Sequence, residues 1–83
     1  MKILYFAKIK EIIGKNEDSI IIDEETTVED IVKKLKLINK SYKLAFKDIK
    51  SVKCSVNCNY INSFQTKVTN KDELAFFPPV TGG

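Results

Sequence analysis

Side chains that could carry catalysis are scarce in this 83-residue chain, which has no histidine and only three glycines. Without histidine there is no base that titrates near neutral pH, and no Ser-His or Cys-His pair that could act as a nucleophile. The glycines, Gly14, Gly82 and Gly83, do not form a phosphate-binding loop. Adjacent acids at 24–25 and 72–73 lie in turn-like contexts, which favours solvated over catalytic carboxylates. We therefore expect this chain to have no active site of its own.

The two cysteines do not indicate a metal site. Cys54 and Cys58 are four residues apart, and without histidine they cannot complete a four-ligand zinc site made of cysteine and histidine. Val52, Cys54 and Val56 alternate with polar residues, which predicts that Cys54 is a small core residue on a strand. Cys58 stands between two asparagines and is expected in a turn, where a reactive role stays open.

The remaining reactive group is the carboxylate of Gly83, at the end of the run LAFFPPVTGG. A carboxylate becomes an electrophile when a partner enzyme uses ATP to convert it into an acyl adenylate, which a sulfur nucleophile can then attack. Glycine has no side chain to block that approach, and it adopts backbone conformations closed to other residues. Pro78 and Pro79 favour an extended exit from the sheet, and six extended residues span about 20 Å. The sequence therefore predicts one domain over residues 1–77 and an extended, flexible tail over 78–83 that can reach into a partner.

Charge is unevenly distributed along the chain, although the net charge is only +3. Residues 11–30 hold eight acids and one lysine, whereas residues 33–53 hold eight lysines and one acid. Every cation is lysine, so the planar guanidinium fork that reads phosphates and guanine edges is absent, and we expect a solvated helix face rather than a nucleic-acid site. No apolar run approaches the roughly 20 residues that cross a bilayer, and the N-terminus does not look like a signal peptide. We expect no membrane association and a cytoplasmic location.

Hydrophobic periodicity predicts strands and helices in the first half of the chain. KILYFA is typical of a central strand, KIKEIIG of a short helix ended by Gly14, and DSIIID of a second strand. Thr26 and Glu29 form a T-x-x-E capping box at the start of the main helix. Further along, the helical spacing is repeated weakly by Tyr42, Ala45, Phe46 and Ile49, which predicts a second short helix or a structured loop. The main helix carries one apolar stripe: Val28, Ile31, Val32, Leu35 and Ile38.

The second half returns to a period of two residues. SVKCSV and YIN are predicted strands around an NCN turn, and LAFF is a last strand that sends Leu74 and Phe76 to one face and Ala75 and Phe77 to the other. The first and last strands are apolar enough to be central neighbours. We predict an α+β fold of the β-grasp, ubiquitin-like type, with a mixed sheet of four or five strands and one main helix packed across it.

The run AFFPPVTGG resembles the C-terminal signature of the small subunits of molybdopterin synthase, which are ubiquitin-like sulfur carriers. ILYFAKIKEIIG resembles the first strand and helix of that family, TTVEDIVKKL its main helix, and VNCNYI its Val-Asn turn, so the similarity covers nearly the whole chain. The tail motif is highly specific, whereas each of the others is weak alone.

The resemblance implies a carrier with no permanently bound cofactor. An adenylyltransferase related to the ubiquitin-activating enzymes would use ATP to adenylate Gly83, and a sulfur donor protein would convert the adenylate into a C-terminal thiocarboxylate. The tail, Pro78, Pro79, Val80, Thr81, Gly82 and Gly83, would then enter the large subunit of the synthase, within a heterotetramer. There the sulfur passes to cyclic pyranopterin monophosphate, and two transfers build the molybdopterin dithiolene.

Carried over position by position, the family pattern implies that Phe6, Tyr60 and Phe77 contact the partner, with core packing as the alternative for each. The chain departs from the family pattern at two positions. The basic residue after the first strand, usually arginine in the family, is Lys10 here. The turn before the last strand usually carries a glycine, and here Asn70 is expected to supply the left-handed conformation. The open alternatives are a carrier for thiazole or transfer-RNA thiolation, a ubiquitin-like protein modifier, and a plain interaction domain.

Overall fold

Residues 1–79 are described by a computed structural model of the chain. Val80, Thr81, Gly82 and Gly83 lie outside the described residues. A short 3-10 turn covers Ile49–Ser51. In chain order, the other elements are β1 (Lys2–Tyr5), α1 (Ala7–Ile13), β2 (Glu17–Ser19), β3 (Thr26–Thr27), α2 (Val28–Lys36), α3 (Lys40–Ala45), β4 (Lys53–Val56), β5 (Asn59–Tyr60), β6 (Lys67–Val68) and β7 (Glu73–Phe77).

Five strands form a mixed sheet in the order β2-β1-β7-β4-β5. β1 and β7 are parallel, with Lys2 opposite Glu73 and Tyr5 opposite Phe76, whereas the other pairs are antiparallel. The first and last strands are therefore central neighbours, and α2 lies in the connection between the two outer hairpins. This arrangement confirms the predicted β-grasp fold.

The core lies on one face of the sheet, because side chains alternate along each strand. In β7, Leu74 and Phe76 are fully buried, whereas Ala75 and Phe77 on the opposite face are only half-buried. The Phe76 ring meets the Phe46 ring edge-on, with centroids 5.0 Å apart. Cys54 is buried on the same core face, as its alternation predicted. Because Leu74 and Phe76 fill the core, the half-buried Phe77 is left on the outer face.

The main helix begins one residue later than the capping box predicted. Thr27, not Thr26, is the N-cap, and its hydroxyl oxygen accepts a hydrogen bond from the Asp30 backbone N–H at 3.2 Å. Four of the five predicted stripe residues are buried, whereas Ile38 lies beyond the end of the helix and is half exposed. The stripe is therefore correct up to the point at which the helix stops.

The second strand is shorter than DSIIID predicted, because it ends at Ser19, which pairs with Lys2 at the start of β1. Ile20 lies opposite Met1, the first residue of the chain, and the two exchange backbone hydrogen bonds at 2.7 and 2.9 Å. The side chain of Asn70 also anchors this segment, since its Oδ1 accepts hydrogen bonds from the Met1 ammonium at 3.1 Å and from the Ile22 N–H at 3.0 Å. The expectation that Asn70 has a left-handed backbone is wrong, because Ala7, Asn57 and Cys58 are the only non-glycine residues with positive φ in the described chain.

A partly buried polar cluster connects β1, β2 and α3 around the carboxylate of Asp18. The hydroxyls of Tyr5 and Tyr42 donate hydrogen bonds to its Oδ2 at 2.9 and 2.6 Å, and the Lys15 ammonium donates to its Oδ1 at 3.0 Å. Burial would raise the pKa of Asp18, but the hydrogen bonds from the two tyrosines and the lysine outweigh it and lower that pKa. The carboxylate therefore stabilises the fold in its charged form.

Asp18→Asn is expected to lower the free energy of unfolding at pH 7 by about 2 kcal/mol, because it weakens hydrogen bonds to a charged acceptor. The wild-type contribution is present above the unfolded pKa of about 3.9 and is lost as the pH falls through the lower folded pKa. The difference between variant and wild type should therefore shrink in acid, which urea unfolding at a series of pH values measures. Asp23→Asn, at an exposed position, is the matched control, and equal losses in both variants would contradict the role of the cluster.

Candidate functional site

Three aromatic side chains that the sequence singled out lie together on the face of the sheet opposite the core. Phe6 follows β1, Tyr60 belongs to β5 and Phe77 ends β7, and all three line one shallow cavity of about 350 Å³. The rings of Tyr60 and Phe77 are 5.4 Å apart between centroids. We call Phe6, Tyr60 and Phe77 the outer aromatic patch.

Exposure of this patch follows from backbone pairing. The Phe6 N–H donates a hydrogen bond to the Phe76 carbonyl at 3.1 Å, which continues the β1–β7 pairing by one step. Phe6 is 47% exposed and Tyr60 is 78% exposed, so neither is a core residue. Large aromatic side chains grouped at the surface mark interaction sites more often than chance positions do.

Leu4 and Ala75 also line the cavity of the outer aromatic patch, and the sequence did not single them out. The signal was available, because Leu4 is two residues before Phe6 and Ala75 is two residues before Phe77 on the same strand faces. KILYFA looks apolar on both faces, however, so its sequence does not show which side chains lie on the outer face. The partly buried Leu4 side chain adds to the apolar surface around the patch.

The tail begins at the edge of the outer aromatic patch. β7 ends at Phe77, and Pro78 and Pro79 follow it outside any helix or strand, with Pro79 exposed. The predicted sulfur-accepting Gly83 and the tail positions Val80, Thr81 and Gly82 lie outside the described residues. The structure thus places the first tail residues directly after a patch residue. A protein that covered the patch would meet the start of the tail at the same place.

The two cysteines and Asp72 were the other candidates for reactive side chains, and the structure shows the surroundings of each. Burial raises the pKa of the Cys54 thiol to about 12, against a smaller opposing effect of a backbone hydrogen bond, so Cys54 is a poor nucleophile. Cys58 is exposed in the β4–β5 turn and lines the same cavity as the patch. Asp72 braces two turns, because its carboxylate accepts hydrogen bonds from the Thr69 N–H at 2.7 Å and from Asn57 at 2.8 Å.

Neither a metal-binding cluster nor a membrane-spanning element is found in the part of the chain that the structure describes. Residues 1–79 hold no group of three or more histidine, cysteine, aspartate or glutamate side chains placed to bind a metal ion. Within the same residues, every helix is too short or too polar to cross a bilayer.

Comparisons with known proteins match one family over nearly the whole chain. The profile of the ThiS family matches residues 3–83. The chain is 43% identical to the molybdopterin synthase sulfur carrier subunit of Dictyostelium discoideum, across 99% of this chain and 94% of that protein. It is 36% identical to the subunit of the same name from Escherichia coli K12, across 100% and 99% of the two chains. The solution structure of small archaeal modifier protein 1 from Methanosarcina acetivorans superposes with a TM-score of 0.67, at 26% identity over 99% and 94% of the two chains.

Proposed function

Because the chain belongs to the ThiS family, we propose that it is the sulfur carrier subunit of a molybdopterin synthase. The observation that carries this proposal is the similarity to sulfur carrier subunits of that enzyme over the full length of the chain, including the LAFFPPVTGG end. The outer aromatic patch at the root of the tail supports it, because a carrier must dock a partner and deliver its terminus in one event.

The chemistry takes place at the carboxylate of Gly83. An adenylyltransferase lets this carboxylate attack the α-phosphorus of ATP, which forms an acyl adenylate and releases pyrophosphate. A donor protein then supplies sulfur at the oxidation level of sulfide to the carbonyl carbon, AMP leaves, and a thiocarboxylate remains. ATP is a cytoplasmic substrate, so we place these steps in the cytoplasm.

Delivery of the sulfur requires the large subunit of the synthase, which supplies the catalytic groups. The outer aromatic patch docks on that subunit, in a heterotetramer, and the tail from Pro78 to Gly83 enters its active site. Pro78 and Pro79 restrict the conformations that the start of the tail can adopt before binding. Less conformational entropy is then lost when the tail inserts, which lowers the free-energy cost of insertion. Cyclic pyranopterin monophosphate receives the sulfur, and two carriers supply the two atoms of the dithiolene.

A ubiquitin-like modifier is the second candidate, because the likeness to small archaeal modifier protein 1 extends over nearly the whole chain. Its chemistry is identical up to the acyl adenylate, after which a lysine amine rather than sulfur would attack the Gly83 carbonyl. A carrier for thiazole or transfer-RNA thiolation shares the same steps up to the thiocarboxylate and differs in the acceptor. The three functions therefore share the activation of the Gly83 carboxylate and differ in the molecule that receives the sulfur or the Gly83 acyl group.

Genetic complementation separates these acceptors. Expressed in bacteria that lack their own molybdopterin synthase sulfur carrier, the chain is expected to restore molybdoenzyme activity. Expressed in bacteria that lack the carrier for thiazole synthesis, it is expected to leave them dependent on thiamine. The reverse pattern would move the proposal to the thiazole carrier, and covalent conjugates without molybdoenzyme activity would move it to the modifier.

A further inference from the structure

A groove rimmed by lysines lies beside the outer aromatic patch, between the second half of α2, the 3-10 turn and the start of β4. Its volume is about 650 Å³, larger than the cavity of the patch. Tyr60 and Phe77 line both, so the two surfaces are continuous. We call this second surface the lysine groove, and its four lysines are Lys33, Lys36, Lys50 and Lys53.

The lysine groove combines an apolar floor with an unmatched positive rim. Val32 and Val52 form buried parts of the floor, and Ile49 contributes a side chain that is 39% exposed. Within residues 1–79, none of the four lysine ammonium groups has an ion-pair or hydrogen-bond partner, although Lys2, Lys15 and Lys67 do. Among the described residues these four charges are therefore open to solvent and available to an acidic occupant.

Within residues 1–79, Glu29 is the one acid that lines the groove, and its single negative charge is outnumbered by the four lysines. Its carboxylate oxygen accepts a hydrogen bond from the Gln65 side chain at 2.8 Å, which ties it to the loop before β6. The lysines come from parts of the chain as distant as α2 and β4, so the fold brings the positive charge together.

Charge complementarity and continuity with the patch both favour a protein segment as the occupant. Lysine ammonium groups pair with carboxylates as point charges, whereas reading of phosphates and bases favours arginine, which this chain lacks. A partner that sits on the outer aromatic patch reaches the groove through Tyr60 and Phe77 without leaving the surface.

We propose that the lysine groove is a second docking site, which binds an acidic segment of a partner protein with an apolar side chain between carboxylates. The apolar side chain lies over Ile49 and Val52, and the carboxylates face Lys33, Lys36, Lys50 and Lys53. This site adjoins the outer aromatic patch and shares Tyr60 and Phe77 with it, so the proposal extends the docking part of the proposed function and does not depend on the sulfur chemistry of Gly83.

The test is a titration of the ¹⁵N-labelled full chain with the peptide acetyl-Glu-Asp-Leu-Phe-Glu-Asp-amide, followed by amide chemical shifts. We expect shifts at residues 49–54 and 61–64, and a loss of affinity when added salt reduces the Debye length from about 10 Å to about 3 Å. The double variant Lys50→Glu/Lys53→Glu should weaken binding by about tenfold, because two attractive pairs become repulsive. Lys8→Glu/Lys43→Glu makes the same change in net charge away from the groove and should leave binding within about twofold.

Several results would overturn the proposal. One is the absence of shifts in the groove at millimolar peptide, and another is an equal loss of affinity in both double variants. Equal binding of a peptide with lysine in place of its acids would remove the charge argument. A deoxythymidine oligomer of about ten nucleotides that bound the groove more tightly than the acidic peptide would make the surface a nucleic-acid site instead.

Discussion

Removal of Gly83 is expected to lower molybdopterin formation by at least about 100-fold. The shortened chain still ends in a glycine carboxylate, but that carboxylate is retracted by about 3.3 Å, and a misplacement of 1 Å can already cost about 100-fold in rate. The measurement is molybdopterin formed from cyclic pyranopterin monophosphate by the purified carrier, adenylyltransferase, ATP, sulfur donor and large subunit. Unfolding of the shortened chain should be unchanged, because the core ends at β7.

Two matched variants separate tail length from other effects. A chain with one glycine added after Gly83 moves the carboxylate by the same distance in the other direction, and it should lose a comparable amount of activity. Gly83→Ala keeps the length and adds only a methyl group, so it should retain more activity than either. Full activity in the shortened chain would contradict the assignment of Gly83 as the sulfur acceptor.

Tyr60→Asp is expected to weaken binding of the large subunit by roughly 30-fold or more. Tyrosine is enriched among the residues that dominate interface energy, and their truncation costs about 2 kcal/mol or more. The aspartate also places an unpaired carboxylate in an apolar contact, which adds a desolvation cost. Isothermal calorimetry of the carrier with the purified large subunit measures the affinity.

Leu37→Asp is the control for that variant. Leu37 is 84% exposed, follows α2 and does not line the outer aromatic patch. Leu37→Asp therefore also replaces an exposed apolar residue with a carboxylate, but outside the patch. The two variants should have similar unfolding midpoints, because Tyr60 is also largely exposed. An equal loss of affinity in both, or none in Tyr60→Asp, would show that the patch does not dock the large subunit.

Elements with strong local signals could be predicted from the sequence. Alternation in LAFF divided Leu74 and Phe76 from Ala75 and Phe77, as the two faces of β7 do, and Gly14 ended α1 in the left-handed conformation that its position required. The α2 stripe and the apolar first and last strands were sufficient for the β-grasp fold. The outer aromatic patch could be predicted only through resemblance, because Phe6 and Tyr60 have no periodic signal that separates them from core residues.

Features decided by distant pairing could not be predicted. Thr26 and Thr27 each have an acid three residues later, so local sequence does not choose between them as N-cap. Both threonines belong to β3 and pair with β6, Thr26 with Val68 and Thr27 with Lys67, and the helix begins only after the second of them. The Val28 and Glu29 N–H groups then donate to carbonyls of the 64–66 loop at 3.1 and 2.8 Å, which satisfies the helix start from outside.

The lysine groove was missed for the same reason. Lys33 and Lys53 are twenty positions apart in the sequence, and the basic stretch was interpreted as a solvated helix face. Lys33, Lys50 and Lys53 are indeed exposed and Lys36 is half-buried, but the tertiary structure brings all four to one groove with an apolar floor. Their grouping is a property of the tertiary structure and has no local signature.

The central claim is that Gly83 carries sulfur, and the mass of the intact protein tests it most directly. After incubation with the adenylyltransferase, ATP and a sulfur donor, the chain should gain the mass of one oxygen-to-sulfur exchange, located at Gly83 by fragmentation. The gain should be absent when ATP is omitted and absent from the chain shortened by Gly83. A terminal carboxylate that stays unchanged in the complete mixture, or sulfur located at Cys58 instead, would contradict the account.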